Sequence, residues 1–246
     1  MALHKIAPVD LPVPRRLALR PRDARGYVVP WFVALVDGVY DFRIADEVKR
    51  RRAVREKRCW LCGERLGIFQ AFVIGPMCAV NRTSSEPPSH LDCATYAVQV
   101  CPWLTRPHAR RRDAGLPEET ESPGGITIRR NPGVALIWLT RSYQLFRTYA
   151  DGGGSVAGWL LRIGDPVSVK AYAEGRAATA DELWQSIVSG YPLLADSARQ
   201  EGNGAGQALR THVHAALAEL AGLQLLTGGH LRAIDAAMPP VAALEA

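Results

Sequence analysis

A chain of 246 residues, 48% hydrophobic and 22% charged, has enough apolar material for the core of one large domain or two smaller ones and reads as an ordinary soluble globular protein. No apolar run reaches the roughly 20 residues of a spanning helix, and the proline-rich start lacks the apolar centre of a secretion signal, so a cytoplasmic protein with no membrane contact is expected. The net charge of +6 is unevenly spread: the first 112 residues carry two basic side chains for each acidic one, the remainder is acidic, and such a field attracts polyanions, DNA or RNA first, or an acidic protein partner.

In chain order, residues 1–26 mix prolines with scattered arginines and no helical or strand period, which predicts an extended arm. Residues 27–36 (YVVPWFVALV) are β-branched and aromatic. With Asp37-Gly38 and the following VYDFR they spell strand, turn, strand: an N-terminal β-hairpin. Residues 46–58 (DEVKRRRAVREKR) place acids first and bases last, which suits the dipole of a short helix. Its Arg50, Arg51, Arg52, Arg55 and Arg58 are candidates for lining nucleic-acid phosphates, against the plainer reading of a solvated helix face.

Residues 59–108 contain all five cysteines and two of the six histidines. Cys59 and Cys62 form a Cys-x-x-Cys knuckle closed by Gly63, and His90 and Cys93 repeat that spacing behind Pro87-Pro88-Ser89. In a reducing compartment clustered thiols serve as metal ligands rather than disulfides, and this ligand chemistry points to zinc. Between the pairs, 68–74 (IFQAFVI) reads as a strand, Gly75-Pro76 as a turn and 77–81 as a returning strand. Asn81 and Arg82, beside Thr83, Ser84 and Ser85, form a candidate anion site at the end of that hairpin. Residues 90–103 have helical spacing with Ser89 as N-cap. His108 is either a fifth ligand or a loop residue.

The order knuckle, hairpin, helix with two ligands in its first turn resembles the treble-clef zinc fingers over about fifty residues. The resemblance implies Cys59, Cys62, His90 and Cys93 as ligands. Two further cysteines, Cys78 and Cys101, depart from the family pattern, and either can replace His90. Four protein ligands leave no open position for catalysis. The deaminase and metalloprotease signatures are absent, and the expected hairpin 68–81 lacks the histidine of treble-clef nucleases.

Residues 104–133 are a polar, Pro/Gly-rich connection where a domain boundary fits. Beyond it, 134–140 (VALIWLT) reads as a buried strand, 143–149 as strand or short helix, 151–155 (DGGGS) as a hairpin connection, and 159–163 and 167–173 as strands. Arg176 stands beside a helix start and is a further candidate anion site. Thr179 to Glu182 (TADE) is a capping box opening a helix that Gly190 should end; Pro192 starts another, and 207–226 and 230–238 complete a helical C-terminal segment. The fold class is therefore α+β: an N-terminal β-hairpin and treble-clef-like zinc module, then antiparallel strands and C-terminal helices. The expected division is an arm over 1–26, a basic zinc-binding module over 27–112 and an α+β segment over 113–246, or one continuous domain.

The wider pattern WFVALVDGVYDFR, CWLCGERLG, FVIGPMCAVNR, EPPSHLDCA and CPWL is similar to a family of uncharacterised bacterial and phage-borne proteins. That likeness implies a compact zinc fold in a cytoplasmic, mobile-element setting and no particular mechanism. The functional expectation is a zinc-stabilised protein contacting nucleic acid or another polyanion. Two alternatives stand beside it: an enzyme for a nucleotide-like or phosphorylated small molecule, using Asn81, Arg82 and Arg176 in a cleft, and a module for a protein partner.

Overall fold

Strand β5 (Ala135–Thr140) is buried at all six positions, a pattern that requires cover on both faces of its sheet. The computed structural model describes residues 11–107, 109–110, 112, 114–116, 130–149, 156–202 and 204–241. In it β5 lies between β3 (Gln70–Ile74) and β8 (Pro166–Ala173), with the short β9 (Arg176–Ala177) beyond, every pair antiparallel. On one face Phe72, Leu136, Trp138, Val169 and Ala171 join a core with α3 (Pro76–Asn81), α5 (Ala180–Glu201) and α6 (Ala205–Gly222). On the other, Ala71, Ala135, Ile137 and Leu139 pack with Ala94 and Val98 of α4 (Leu91–Val100). The sheet is thus sandwiched between helices from both ends of the sequence.

A second antiparallel sheet, ordered β4 (Thr83–Ser84), β7 (Val156–Ile163), β6 (Tyr143–Tyr149), contributes Leu161 and Ile163 to the larger core. The N-terminal hairpin forms as expected from β1 (Val33–Val36) and β2 (Val39–Ala45). Asp37 and Gly38 both have positive φ, 49° and 79°, as a type I′ turn demands. Helix α2 (Glu47–Glu56) follows, with the Asp46 side chain accepting from the Lys49 N–H. At the C-terminus α7 (Gly228–Arg232) and α8 (Ile234–Ala237) close the described chain.

Three expectations change. Residues 77–81 are helical rather than a returning strand: Pro76 sits at the first helical position with its φ already suitable, and Met77, Ala79 and Val80 turn into the core. Strand β3 consequently finds its partner in β5, so the treble-clef hairpin does not close locally. Gly190 does not end a helix, because α5 runs through both it and Pro192. Its lack of a side chain serves packing: an added Cβ would lie 2.6 Å from Met77 Cγ on α3. Lastly, the described part of the arm carries a one-turn helix, α1 (Arg15–Ala18). His108, the 151–155 connection and the whole polar stretch 117–129 lie outside the described residues.

Gly190→Ala therefore tests the packing of α3 on α5. Ala for Gly in an open helix stabilises by up to about 1 kcal/mol. Here overpacking against Met77 reverses the sign and costs about 1–3 kcal/mol, read as a lower denaturant midpoint.

Candidate metal centre

Backbone hydrogen bonds assemble the site before any side chain is considered. A bridge between Arg58 and Arg65 closes the knuckle, inside which Gly63 N–H bonds to Cys59 O at 2.9 Å. Ala71 and Ser89 exchange N–H···O bonds of 2.8 Å in both directions, and Trp60 N–H reaches Pro88 O at 3.0 Å. Those contacts hold the start of α4 against the knuckle. His90, rather than Ser89, takes the N-cap position with extended backbone, which puts Cys93 in the first turn.

The result brings Cys59, Cys62, His90 and Cys93 together, with their ligand atoms all within 4.8 Å of one another. A tetrahedral ion holding sulfur at about 2.3 Å and nitrogen at about 2.0–2.1 Å spaces its donors roughly 3.5–3.8 Å apart, so the cluster fits a metal ion. Supporting contacts fit as well. Cys59 Sγ accepts N–H groups from Cys62 and His90, each at 3.4 Å. His90 Nε2 lies 3.0 Å from the Arg65 carbonyl, which can only accept, so Nε2 carries the hydrogen. Nδ1, 3.4 Å from Cys62 Sγ, is left with its lone pair toward the cluster, the usual way an outer partner orients a ligating imidazole.

Electrostatics agree with a site built for a cation. Burial pushes the Cys59 thiol up, but hydrogen bonds from Cys62, Cys93 and His90 outweigh it and bring it far below an ordinary thiol. Hydrogen bonding to Cys59 and then Cys62 raises His90 to about 10 and drives Cys93 strongly upward. Cys59 thus ionises at the expense of Cys93, and ionising both calls for a positive charge between them. Cys59 and Cys93 are fully buried and His90 is half-buried.

Cys78 and Cys101 lie outside this cluster. Cys78, on α3, packs against the main core, and burial lifts its thiol to about 11. Cys101 caps the far end of α4, and burial raises it too.

The arginines suggested as anion contacts mostly pair within the chain, Arg50 in the interior, Arg58 and Arg82 partly buried and the others at the surface. Arg50 is buried: it donates to Ser85 O at 2.9 Å and Trp159 O at 3.0 Å, pairs with Glu47 at 3.1 Å, and stacks 3.5 Å from the centre of the Trp159 ring. Arg52, Arg55 and Arg58 converge on Glu56, whose carboxyl falls to about 2, chiefly through Arg58. Arg82 pairs with Glu219 and lies over Trp138 at 4.5 Å. Arg176 binds Glu182 at 2.6 Å and, with the Thr179 backbone, holds that carboxyl near 2. Arg51 and Asn81 are exposed. A groove beside α4 is lined by Leu11, Pro12, Pro14, His90, Leu91 and Tyr96, among others, and by neither Arg82 nor Arg176.

Sequence reasoning missed the roof of the centre. Leu17 of α1, 2% exposed, packs in one cluster with Cys59, Cys62 and Cys93. Arg16 reaches Glu64 at 3.2 Å and Asp92 at 3.1 Å. The apolar residues scattered through the arm, Leu11, Val13 and Leu17 among them, carry no helical or strand period that would have marked this contact. No family model, no curated protein and no solved structure matches the chain.

Two outcomes follow from the arginines. Arg50→Lys costs about 1–3 kcal/mol in chemical denaturation, since an ammonium cannot reach three acceptors and stack at once. Glu182, its folded pKa depressed, contributes stability above its ordinary value of 4.5 that is lost as pH falls toward about 2. Glu182→Gln should flatten that part of the acid unfolding profile followed by circular dichroism.

Proposed function

We propose that this chain is a binding protein stapled by one structural zinc ion, with Cys59, Cys62, His90 and Cys93 as the complete ligand set. The observation that carries this reading is the convergence of four donor atoms within 4.8 Å, from two segments nearly thirty residues apart, with the histidine already oriented by Arg65 O. Zinc is favoured over harder cations by three sulfurs and one imidazole. Bound there, it would supply charge neutralisation and a cross-link between knuckle and α4; with all four positions taken by protein, it has none for a substrate water. No helix among the described residues is long and apolar enough to cross a membrane.

The finer parts of the reading rest on charge and motif alone. Contact of the basic half with DNA, RNA or another polyanion is suggested by its charge excess, and the bacterial or phage-borne, cytoplasmic setting is what the resemblance of the quoted motifs implies. The enzyme alternative loses support because Arg82 and Arg176 are engaged by Glu219 and Glu182.

Elemental analysis should find one zinc per chain, and Cys59→Ser or Cys93→Ser should lose it. Stripping the metal with a chelator should lower stability by about 4 kcal/mol or more, the linkage of a ligand held at a thousand times its Kd. A purified chain without metal, or with unchanged stability after chelation, overturns the assignment. For the polyanion part, affinity for single- and double-stranded oligonucleotides should fall steeply between low and physiological salt.

A further inference from the structure

Residues 11–30 lie over the metal centre, yet side chains hold them there. Backbone hydrogen bonds of this segment close within it: Leu17 and Ala18 N–H on Pro14 O, Asp23 N–H on Tyr27 O, Val29 N–H on Pro21 O. Among the described residues, the next along the chain, Trp31 N–H to Leu61 O, is the first to reach the knuckle. Leu17 and Arg16 fasten the segment at the cluster itself, where the partly buried Leu11, Val13 and Val28 also pack. Leu17 inserts beside the three sulfur-bearing residues, and Arg16 forks between Glu64 on the knuckle and Asp92 on α4, one carboxylate from each half of the ligand set. Next to them the groove between Leu11, Pro12 and Pro14 on one side and Leu91 and Tyr96 on the other opens onto His90, the one ligand residue that is not buried.

We propose that residues 11–30 form a detachable strap that sets how fast zinc enters and leaves the centre, with exchange proceeding from the His90 side. This rests on the zinc reading above. A segment joined to the body by side-chain packing, Leu17 together with the partly buried Leu11, Val13 and Val28, and by an exposed ion-pair fork opens at a fraction of the free energy of global unfolding. While it is down, Leu17 keeps water and competing ligands off the sulfurs. When it lifts, the groove widens at the imidazole and a competing ligand can attack there first. Since the strap contributes no ligand, loosening it changes the rate of exchange and leaves the number of bound ions alone.

The test uses the full chain loaded with zinc, challenged with a large excess of a colorimetric chelator, with zinc per chain measured beforehand. Arg16→Ala should release zinc about two- to tenfold faster, the effect of losing two exposed pairs. Leu17→Ala should accelerate release by roughly thirtyfold or more, as truncating a buried leucine shifts an opening equilibrium by at least that factor. Concentrated salt should bring the unaltered chain toward the Arg16→Ala rate and scarcely move that variant. Should Leu17→Ala fail to fold, Arg16→Ala decides, because its side chain is half exposed. Release at the unaltered rate from variants that still hold one zinc overturns the strap while leaving the zinc reading intact. Loss of zinc from Arg16→Ala at saturating metal also overturns it, since a strap without ligands cannot change occupancy. An unaltered chain that binds no zinc ends both.

Discussion

A strand buried on both sides imposes the arrangement of everything around it. Thr140 is fully buried and Trp138 nearly so, and neither face of β5 can be left to water. One face takes α3, α5 and α6; the other takes α4, which stands before the linker in sequence. Helix α4 therefore has two duties. Its body covers the sheet through Ala94 and Val98, and its first turn presents Cys93 beside the capping His90. The candidate metal centre is positioned from two directions, by the sheet beneath the helix and by the Ala71–Ser89 bridge at its start. That is the preorganisation a tight ligand set requires.

Charge in this protein is spent inward more than composition suggests. A count of arginines in the first half reads as an attractive field for phosphates, but a guanidinium offers a planar fork that suits carbonyls and carboxylates of its own chain equally well. Arg50 ties α2 to the loop at Ser85 and to β7 at Trp159, while Arg82 fixes the end of α3 to α6 through Glu219. Both lie over a tryptophan ring, adding attraction between cation and π-face to the hydrogen bonds. Helix α2 presents Glu56 to three arginines at once, so one carboxylate is shared among them and the helix keeps a positive excess.

Features legible in the sequence share a short range. The Asp37-Gly38 hairpin, the Thr179–Glu182 capping box, the helix placed over 207–226, and the spacing of the four ligands all follow from contacts within a few residues or from ligand chemistry. What the sequence hid depends on distant partners. Gly75-Pro76 serves equally to turn a hairpin or to start a helix, and only the pairing of β3 with β5 decides between them. Gly190 resembles a stop signal until Met77 is seen against its Cα. Arg50 looks solvated until Trp159, more than a hundred residues away, arrives beneath it. Leu17 gave no periodic signal because its helix is a single turn.

The division of labour in α4 also bears on how the chain is made. A ribosome delivers the knuckle and α4 tens of residues before Ala135–Thr140, a gap of roughly two to seven seconds at ordinary elongation rates. The ligand-bearing end of the helix can settle during that interval, whereas its Ala94 and Val98 face has no sheet to lie on. A nascent chain paused there would show a locally organised tip with an adhesive flank, the kind of surface that chaperones at the ribosome shield until the remainder emerges.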